Sequence, residues 1–142
     1  MNTFVKTVLL LVASAIILSS SQCNKPDDEP TIPHFSNIDP VVNPPDTFQL
    51  VFNISTFGDK YAYVTFKEDA VWLIENLGDS RVSFRIENDT DTRFIDNADT
   101  LGLKGGFKYS FVANNNNYTE LTNLFTQFTK LNIDYESFEP KF

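Results

Sequence analysis

The side chains that most often carry out chemistry are scarce in this sequence. It holds one cysteine, Cys23, and one histidine, His34, among 142 residues. Nucleophilic catalysis by Ser-His-Asp or Cys-His groups needs a base next to a nucleophile, and zinc sites need several Cys and His ligands. The sequence therefore predicts a protein that is not an enzyme and that has no cofactor.

Carboxylates are plentiful, and four of them crowd one loop-rich stretch. They are Asp89, Asp91, Asp96 and Asp99. Oxygen ligands of this kind bind Ca²⁺. The spacing departs from the EF-hand pattern, because Arg93 and Phe94 stand where a ligand and a glycine belong. A solvated acidic loop is the simpler interpretation, and the four aspartates stay as metal candidates only.

Three aromatic residues, Tyr61, Tyr63 and Trp72, form the candidate ligand-binding set. Aromatic rings on an open sheet face can stack on sugars or line an apolar pocket. Aromatic residues of a β-rich domain also serve as core. The run Gly102–Gly106 is rich in glycine but matches neither a P-loop nor a dinucleotide-binding fingerprint.

Cys23 follows a leader. Met1–Lys6 carries one positive charge, and an apolar run of about eleven residues from Val8 to Leu18 is too short for a comfortable membrane span. The segment resembles a bacterial lipoprotein signal, in which the cysteine is diacylated and becomes the first mature residue. Ser20 and Gln22 depart from the usual residues of that family.

The looser signals of Bacteroidota lipoproteins are more similar, and Asn24–Glu29 resembles the acidic stretch that sends such lipoproteins to the cell exterior. The resemblance implies a lipid anchor at Cys23 and a place in the cell envelope, at the outer membrane or cell surface. The alternative is cleavage by ordinary signal peptidase after Ser21, which leaves Cys23 as a free thiol.

Three N-x-[ST] sequons, at Asn53, Asn88 and Asn117, would accept glycans in a eukaryotic secretory protein. A secreted eukaryotic glycoprotein is therefore the alternative localisation. Asn53 lies inside a strand pattern, which favours a chance occurrence. The net charge of −8 repels phosphate backbones, so the sequence predicts no nucleic-acid partner.

The chain divides into three parts by composition. Residues 1–22 are the predicted signal peptide, and residues 23–46 are a proline-rich acidic tether, because closely spaced prolines deny a helix or a central strand. Residues 47–142 are predicted to form a single β-rich domain.

Alternation with a period of two predicts most of its strands. A first strand begins at Thr47, and Gly58-Asp59 predicts a tight hairpin to Lys60–Lys67 that pairs Phe52 with Thr65. Tyr61 and Tyr63 then share the face of Phe52. The segment 68–77 fits either a strand or a short helix; we favour the strand, which brings Trp72 to the tyrosines.

The rest of the domain gives further strands and one helix. Arg81–Glu87 alternates clearly, Phe94-Ile95 is a short return, and residues 107–111 are a strand. The helix is predicted from apolar residues at helical spacing. They are Leu121, Leu124, Phe125, Phe128 and Leu131. Ile133 and Tyr135 suggest a final short strand.

The predicted fold is mainly β: an antiparallel, sandwich-like sheet with one C-terminal amphipathic helix, or alternatively a lipocalin-like barrel. The predicted function is that of a surface lipoprotein that binds glycan or protein without catalysis. The alternative is a carrier of a small apolar ligand. A flat exposed aromatic patch would favour the first, and an enclosed cavity behind Tyr63 and Trp72 the second.

Overall fold

The computed structural model describes residues 31–36, 40–54, 58–78, 82–115 and 122–142. The chain divides into two compact units, Met1–Thr31 and Ile32–Phe142, and the strands belong to the second. The leader, Cys23 and the sequon at Asn117 lie outside the described residues, and the predictions about them remain predictions.

The described residues form ten strands. These are β1 (His34–Ser36), β2 (Val41–Val42), β3 (Thr47–Ile54), β4 (Gly58–Thr65), β5 (Ala70–Asn76), β6 (Val82–Glu87), β7 (Thr92–Phe94), β8 (Ala98–Leu103), β9 (Lys108–Asn115) and β10 (Thr122–Leu131). Sheet I has the order β1-β3-β10-β5-β8, and sheet II has the order β2-β4-β9-β6-β7. The predicted sandwich-like β class is confirmed, but the sheets are mixed rather than antiparallel throughout, because β1 and β2 pair in parallel with β3 and β4.

In each central strand, alternate side chains point into the space between the two sheets. In β3, Phe48, Leu50, Phe52 and Ile54 are fully buried, whereas Asn53 faces solvent. The alternate residues of β6 are buried in the same way, as the sequence predicted. Because successive side chains of a strand point to opposite faces, this pattern fixes which face of each sheet lies inward.

Aromatic rings fill the interior and join the two sheets. Phe48 of β3 stacks on Phe128 of β10, with ring centroids 4.7 Å apart and an interplanar angle of 10°. Phe111 of sheet II meets the same Phe128 edge-on at 4.9 Å, and Phe52 meets Phe84 edge-on at 5.8 Å. Such pairs add about 0.5–1.5 kcal/mol each beyond the burial of their area.

The predicted hairpin between β3 and β4 is wrong. β3 pairs with β1 and β10 in sheet I, and β4 pairs with β2 and β9 in sheet II. β3 buries Phe48, Leu50, Phe52 and Ile54, and β4 buries Ala62 and Val64, each against the opposite sheet. Phe52 and Thr65 therefore lie in different sheets, and Tyr61 and Tyr63 do not share the face of Phe52.

The predicted C-terminal helix is also wrong, because Thr122–Leu131 is strand β10, at the centre of sheet I. Leu124 and Phe128 are four residues apart, a spacing that points to one face in a helix and in a strand alike. Thr126 lies between them, buried on the same inward face. That polar residue hid the period of two in the sequence. Phe125 instead points outward.

Three further predictions can now be judged. The favoured strand interpretation of 68–77 is confirmed by β5. The lipocalin-like barrel is wrong, because the described strands form two separate sheets. The final short strand is wrong as well: residues 132–138 form turns and bends, and Lys141 bridges Gly102 at the edge of β8. Among the described residues, no helix has the length and apolar character needed to cross a bilayer.

The paired structure begins before Thr47, at a point that the sequence assigned to the tether. β1 pairs parallel with β3 in sheet I, and β2 pairs parallel with β4 in sheet II. Val41 is buried, and Phe35 packs against the core. Two short strands thus cover one edge of each sheet, which limits pairing with other chains.

The position of Phe128 and Phe125 gives a direct test of β10. Phe128→Ala should lower the free energy of unfolding by about 3–5 kcal/mol, because a fully buried ring is lost from the core. Phe125→Ala should lower it by about 1 kcal/mol or less, because that ring is 38% exposed. Urea denaturation of both variants is the measurement. Equal large losses would instead support a helix that buries both residues.

Candidate functional site

The outer face of sheet II displays two tyrosines side by side. In β4, Ala62 and Val64 point into the core, so Tyr61 and Tyr63 point outward, with 39% and 37% of their surface exposed. Their ring centroids are 6.3 Å apart and their planes differ by 12°. We refer to these two residues as the tyrosine pair.

An apolar residue lies beneath the polar atoms of this outer face. Val112 of β9 stands opposite Tyr61 on one side and opposite Arg85 of β6 on the other. Although it points away from the core, Val112 is fully buried, because the side chains around it cover it. The long stems of Tyr and Arg bury apolar surface while their polar ends reach solvent.

A network of charged and polar side chains around Asp59 orders part of this outer face. The Arg85 guanidinium donates to Asp59 Oδ2 at 2.9 Å and to Glu87 Oε1 at 2.6 Å. Asn114 and the Tyr61 hydroxyl also donate to the Asp59 carboxylate. The hydrogen bond from Asn114, followed by that from Arg85, lowers the pKa of Asp59, while desolvation and Asp59 raise the pKa of Tyr61. Tyr61 is thereby fixed in orientation.

A cleft of about 590 Å³ opens beside Tyr63. Tyr63 and Phe107 contribute aromatic rings to its walls, and Asn88, Thr90 and Ser110 contribute polar groups. Its volume lies in the range of about 300–1,000 Å³ that is typical of small-ligand sites.

Two lysines also line the cleft, each held over an aromatic ring. Lys108 Nζ lies 4.5 Å from the centroid of the Tyr63 ring, and Lys104 Nζ lies 5.5 Å from the centroid of the Phe107 ring. Both distances are within the range of a cation–π attraction. Each ammonium group in the cleft is thus held next to the face of an aromatic ring.

The turn that carries Lys104 and Phe107 is fixed from several sides. Gly106 adopts φ 75°, a left-handed conformation that glycine allows. The Gly105 N–H donates to Asp69 Oδ1 at 2.8 Å. The Lys104 N–H donates to the Tyr109 hydroxyl at 2.8 Å, and that hydroxyl donates to Phe142 O at 3.1 Å. Burial raises the pKa of Tyr109, so the hydroxyl stays protonated as a donor.

The loop between β6 and β7 also lines the cleft, through Asn88, Asp89 and Thr90. Asn88 Oδ1 accepts hydrogen bonds from the backbone N–H of Thr90 at 2.9 Å and of Asp91 at 2.8 Å. The Asn88 N–H donates to Asp91 O at 3.0 Å. An asparagine that closes its own turn in this way orders a short loop. The turn and the loop are thus both formed before any ligand arrives.

The structure brings together only part of the predicted aromatic set. Tyr61 and Tyr63 are neighbours on the outer face, but Trp72 lies between the sheets, 4.9 Å from the ring of Phe66 and 5.8 Å from that of Phe48. The sequence placed Trp72 with the tyrosines through a β4–β5 pairing that does not form, because β5 pairs with β8 and β10.

The four calcium candidates are spread over two loops and a strand. Asp89 lines the cleft and Asp91 closes the same loop, whereas Asp96 follows β7. Asp99 lies in β8 and pairs with Arg93 at 2.6 Å, which links the edges of the two sheets. Within the part of the chain that the structure describes, no three His, Cys, Asp or Glu residues are placed to hold a metal ion.

Sequence reasoning did not identify Lys104, Phe107 and Lys108 as site residues, and it considered Asn88 only as a sequon. The glycine-rich run Gly102–Gly106 was the available signal, since glycines before a strand mark a tight turn. It gave no indication of what the turn would face. His34 lies on β1 in sheet I, away from the cleft in sheet II.

Comparisons with known proteins assign the chain to no family. No protein-family model and no curated protein sequence matches the chain. Among solved structures, the chain is similar to PliG of Aeromonas hydrophila, a periplasmic lysozyme inhibitor of g-type lysozyme. The TM-score is 0.44 at 10% sequence identity, and the match covers 69% of this chain and 96% of that chain. A similarity at this level assigns neither a family nor an activity.

The charged network predicts a pH dependence of stability. The pKa of Asp59 lies below its ordinary value in the folded protein, so its stabilisation is complete above about pH 4 and is lost as the pH falls through the lowered folded pKa. Asp59→Asn should remove this part of the acid sensitivity. Since Asp59 is 29% exposed, we expect about 1 kcal/mol or less.

Urea denaturation between pH 7 and about pH 3 measures this difference. The free-energy gap between the wild type and Asp59→Asn should narrow as the pH falls. Asp96→Asn is the matched control, because it also removes one carboxylate, but an exposed one outside the network. At pH 7 it should lower the free energy of unfolding less than Asp59→Asn does. A gap that stays constant over this range would show that the network does not stabilise the fold through the charge of Asp59.

Proposed function

We propose that this protein is a non-catalytic binding module that holds a glycan in the cleft beside Tyr63. The observation that carries the proposal is the pairing of aromatic rings with polar groups in one preformed cleft. Sugars present apolar C–H faces ringed by hydroxyl groups, so they bind where aromatic rings lie next to amide and hydroxyl side chains. Tyr63 and Phe107 supply the rings, and Asn88 and Ser110 supply the polar groups.

The shape of the site favours this function over the carriage of a small apolar ligand. A carrier needs an enclosed apolar space, whereas the cleft is open and lined by lysine, asparagine and serine side chains. Trp72, which the carrier interpretation placed behind Tyr63, packs in the core against Phe48 and Phe66. Tyr61 and Tyr63 instead belong to an exposed face, as expected for the binding module.

A protein partner is the second candidate, and one observation supports it. Phe94 and Val42 expose 62% and 65% of their surface, and they lie on β7 and β2, the strands at opposite edges of sheet II. Apolar side chains with a nearby Tyr and Arg are characteristic of protein interfaces. They lie outside the cleft, however, so they do not explain why the cleft is ordered.

We further propose that Cys23 is diacylated and anchors the domain at the cell envelope. The support is the sequence of the leader: a short basic segment, a short apolar run, small residues, and a cysteine followed by an acidic stretch. A binding domain on an anchor would hold its ligand close to the cell surface.

Replacing Tyr63 tests the glycan proposal. Tyr63→Ala should weaken binding on an array of polysaccharides by about three- to tenfold, because the loss of one ring contact is worth about 0.5–1.5 kcal/mol. Phe125→Ala is the control, since Phe125 has nearly the same exposure, 38% against 37%, on the outer face of the other sheet. If the folded wild type binds no glycan, or if both variants bind like the wild type, the proposal fails.

The anchor is tested on the mature protein from bacterial membranes. Mass spectrometry should find Cys23 as the N-terminal residue with a diacylglyceryl group, and Cys23→Ser should release the protein from the membrane fraction. Recovery of an unmodified chain that begins at Gln22 would overturn the proposal.

A further inference from the structure

We infer that the glycan held by the cleft is anionic, and that its carboxylate or sulfate group binds between Lys104 and Lys108. This inference rests on the proposed function and specifies the class of ligand.

The first support is the distribution of charge. The chain is acidic, with a net charge of −8, and Arg85, Arg93 and Lys130 are each paired with a carboxylate, that of Asp59, Asp99 and Glu68 respectively. Lys104 and Lys108 differ from these. Neither forms an ion pair with a carboxylate of the described residues, although both line the same cleft.

The second support is the way the two ammonium groups are held. Each lies over a ring of the cleft, Lys108 over Tyr63 and Lys104 over Phe107. An exposed cation–π contact orders a lysine side chain without satisfying its three donors. A hydrogen bond to a charged group stabilises more than such a contact. An anionic ligand can therefore accept hydrogen bonds from ammonium groups that the rings already hold in position.

The remaining charges of the cleft give the ligand an orientation. Asp89 is the one carboxylate side chain among the described lining residues, and it belongs to the loop between β6 and β7. The two lysines belong to the turn before β9 and to the start of β9. The anionic group should therefore face β9. The hydroxyl groups of the sugar should face Asn88 and Asp89.

The test uses the full domain and pairs of probes that differ only in charge. Uronate-containing polysaccharides are immobilised in their native form and as methyl esters, beside sulfated polysaccharides and their desulfated forms. The wild type should bind at least one anionic form about tenfold or more tightly than its neutral counterpart. At about 1 M salt, where the screening length is about 3 Å, this preference should largely disappear.

The variants locate the preference. Lys104→Met and Lys108→Met keep most of the apolar stem and remove the charge, and the double variant should bind the two forms of each probe equally. Lys141→Met is the matched control, because Lys141 Nζ also lies over a ring, 5.0 Å from the centroid of Tyr135, but does not line the cleft. It should retain the preference of the wild type.

The outcomes separate this inference from the function on which it rests. If the wild type binds the charged and neutral forms equally, and Tyr63→Ala still weakens the binding of both, the anionic preference is overturned. The proposed glycan site is then retained. Binding to no glycan of either form would overturn the proposed function itself. A preference for uronates alone or for sulfated forms alone would identify which anionic group the lysines hold.

Discussion

The stacking of Phe48 on Phe128 is the contact on which the other parts of the domain depend. It joins β3 to β10 within sheet I, and Phe111 brings β9 of sheet II against the same ring. Once these rings face each other, alternation along each strand decides which residues remain outside. Tyr61 and Tyr63 lie on the outer face of sheet II because the alternate residues Ala62 and Val64 are buried between the sheets. The candidate site is therefore a consequence of the core.

This dependence explains which parts of the fold could be predicted from the sequence. β3 and β6 carry unbroken apolar alternation, and a local pattern is sufficient to identify them. β10 could not be identified in this way. Thr126 interrupts its inward set, and Leu124 and Phe128 suit both a helix and a strand. Only the pairing of β10 between β3 and β5 decides its conformation, and that pairing joins residues far apart in the chain.

The candidate site depends even more on strand pairing that local sequence does not reveal. Tyr61 and Tyr63 could be chosen as exposed aromatic candidates from a short stretch of sequence, but their neighbours could not. Lys108 reaches Tyr63 because β9 pairs with β4, a register that no local spacing reveals. Trp72 was assigned to the ligand site for the same reason: the strand partners of β5 could not be identified from local sequence. In the structure β5 pairs with β8 and β10, and Trp72 lies in the core. A glycine-rich turn could be recognised, yet its position over the cleft depends on Tyr109 and Asp69.

The outer face of sheet II is rigid, and this bears on what it can bind. Ordering a rotamer-rich side chain at an interface requires about 0.5–1.5 kcal/mol, which reduces affinity. Tyr61 is already held by Asp59, and Lys108 already lies over Tyr63. Paired cations such as Arg85 stabilise this face, whereas the two lysines of the cleft keep donors available. Little of the binding energy at a site ordered in this way goes into ordering the protein, so a ligand can bind through few contacts.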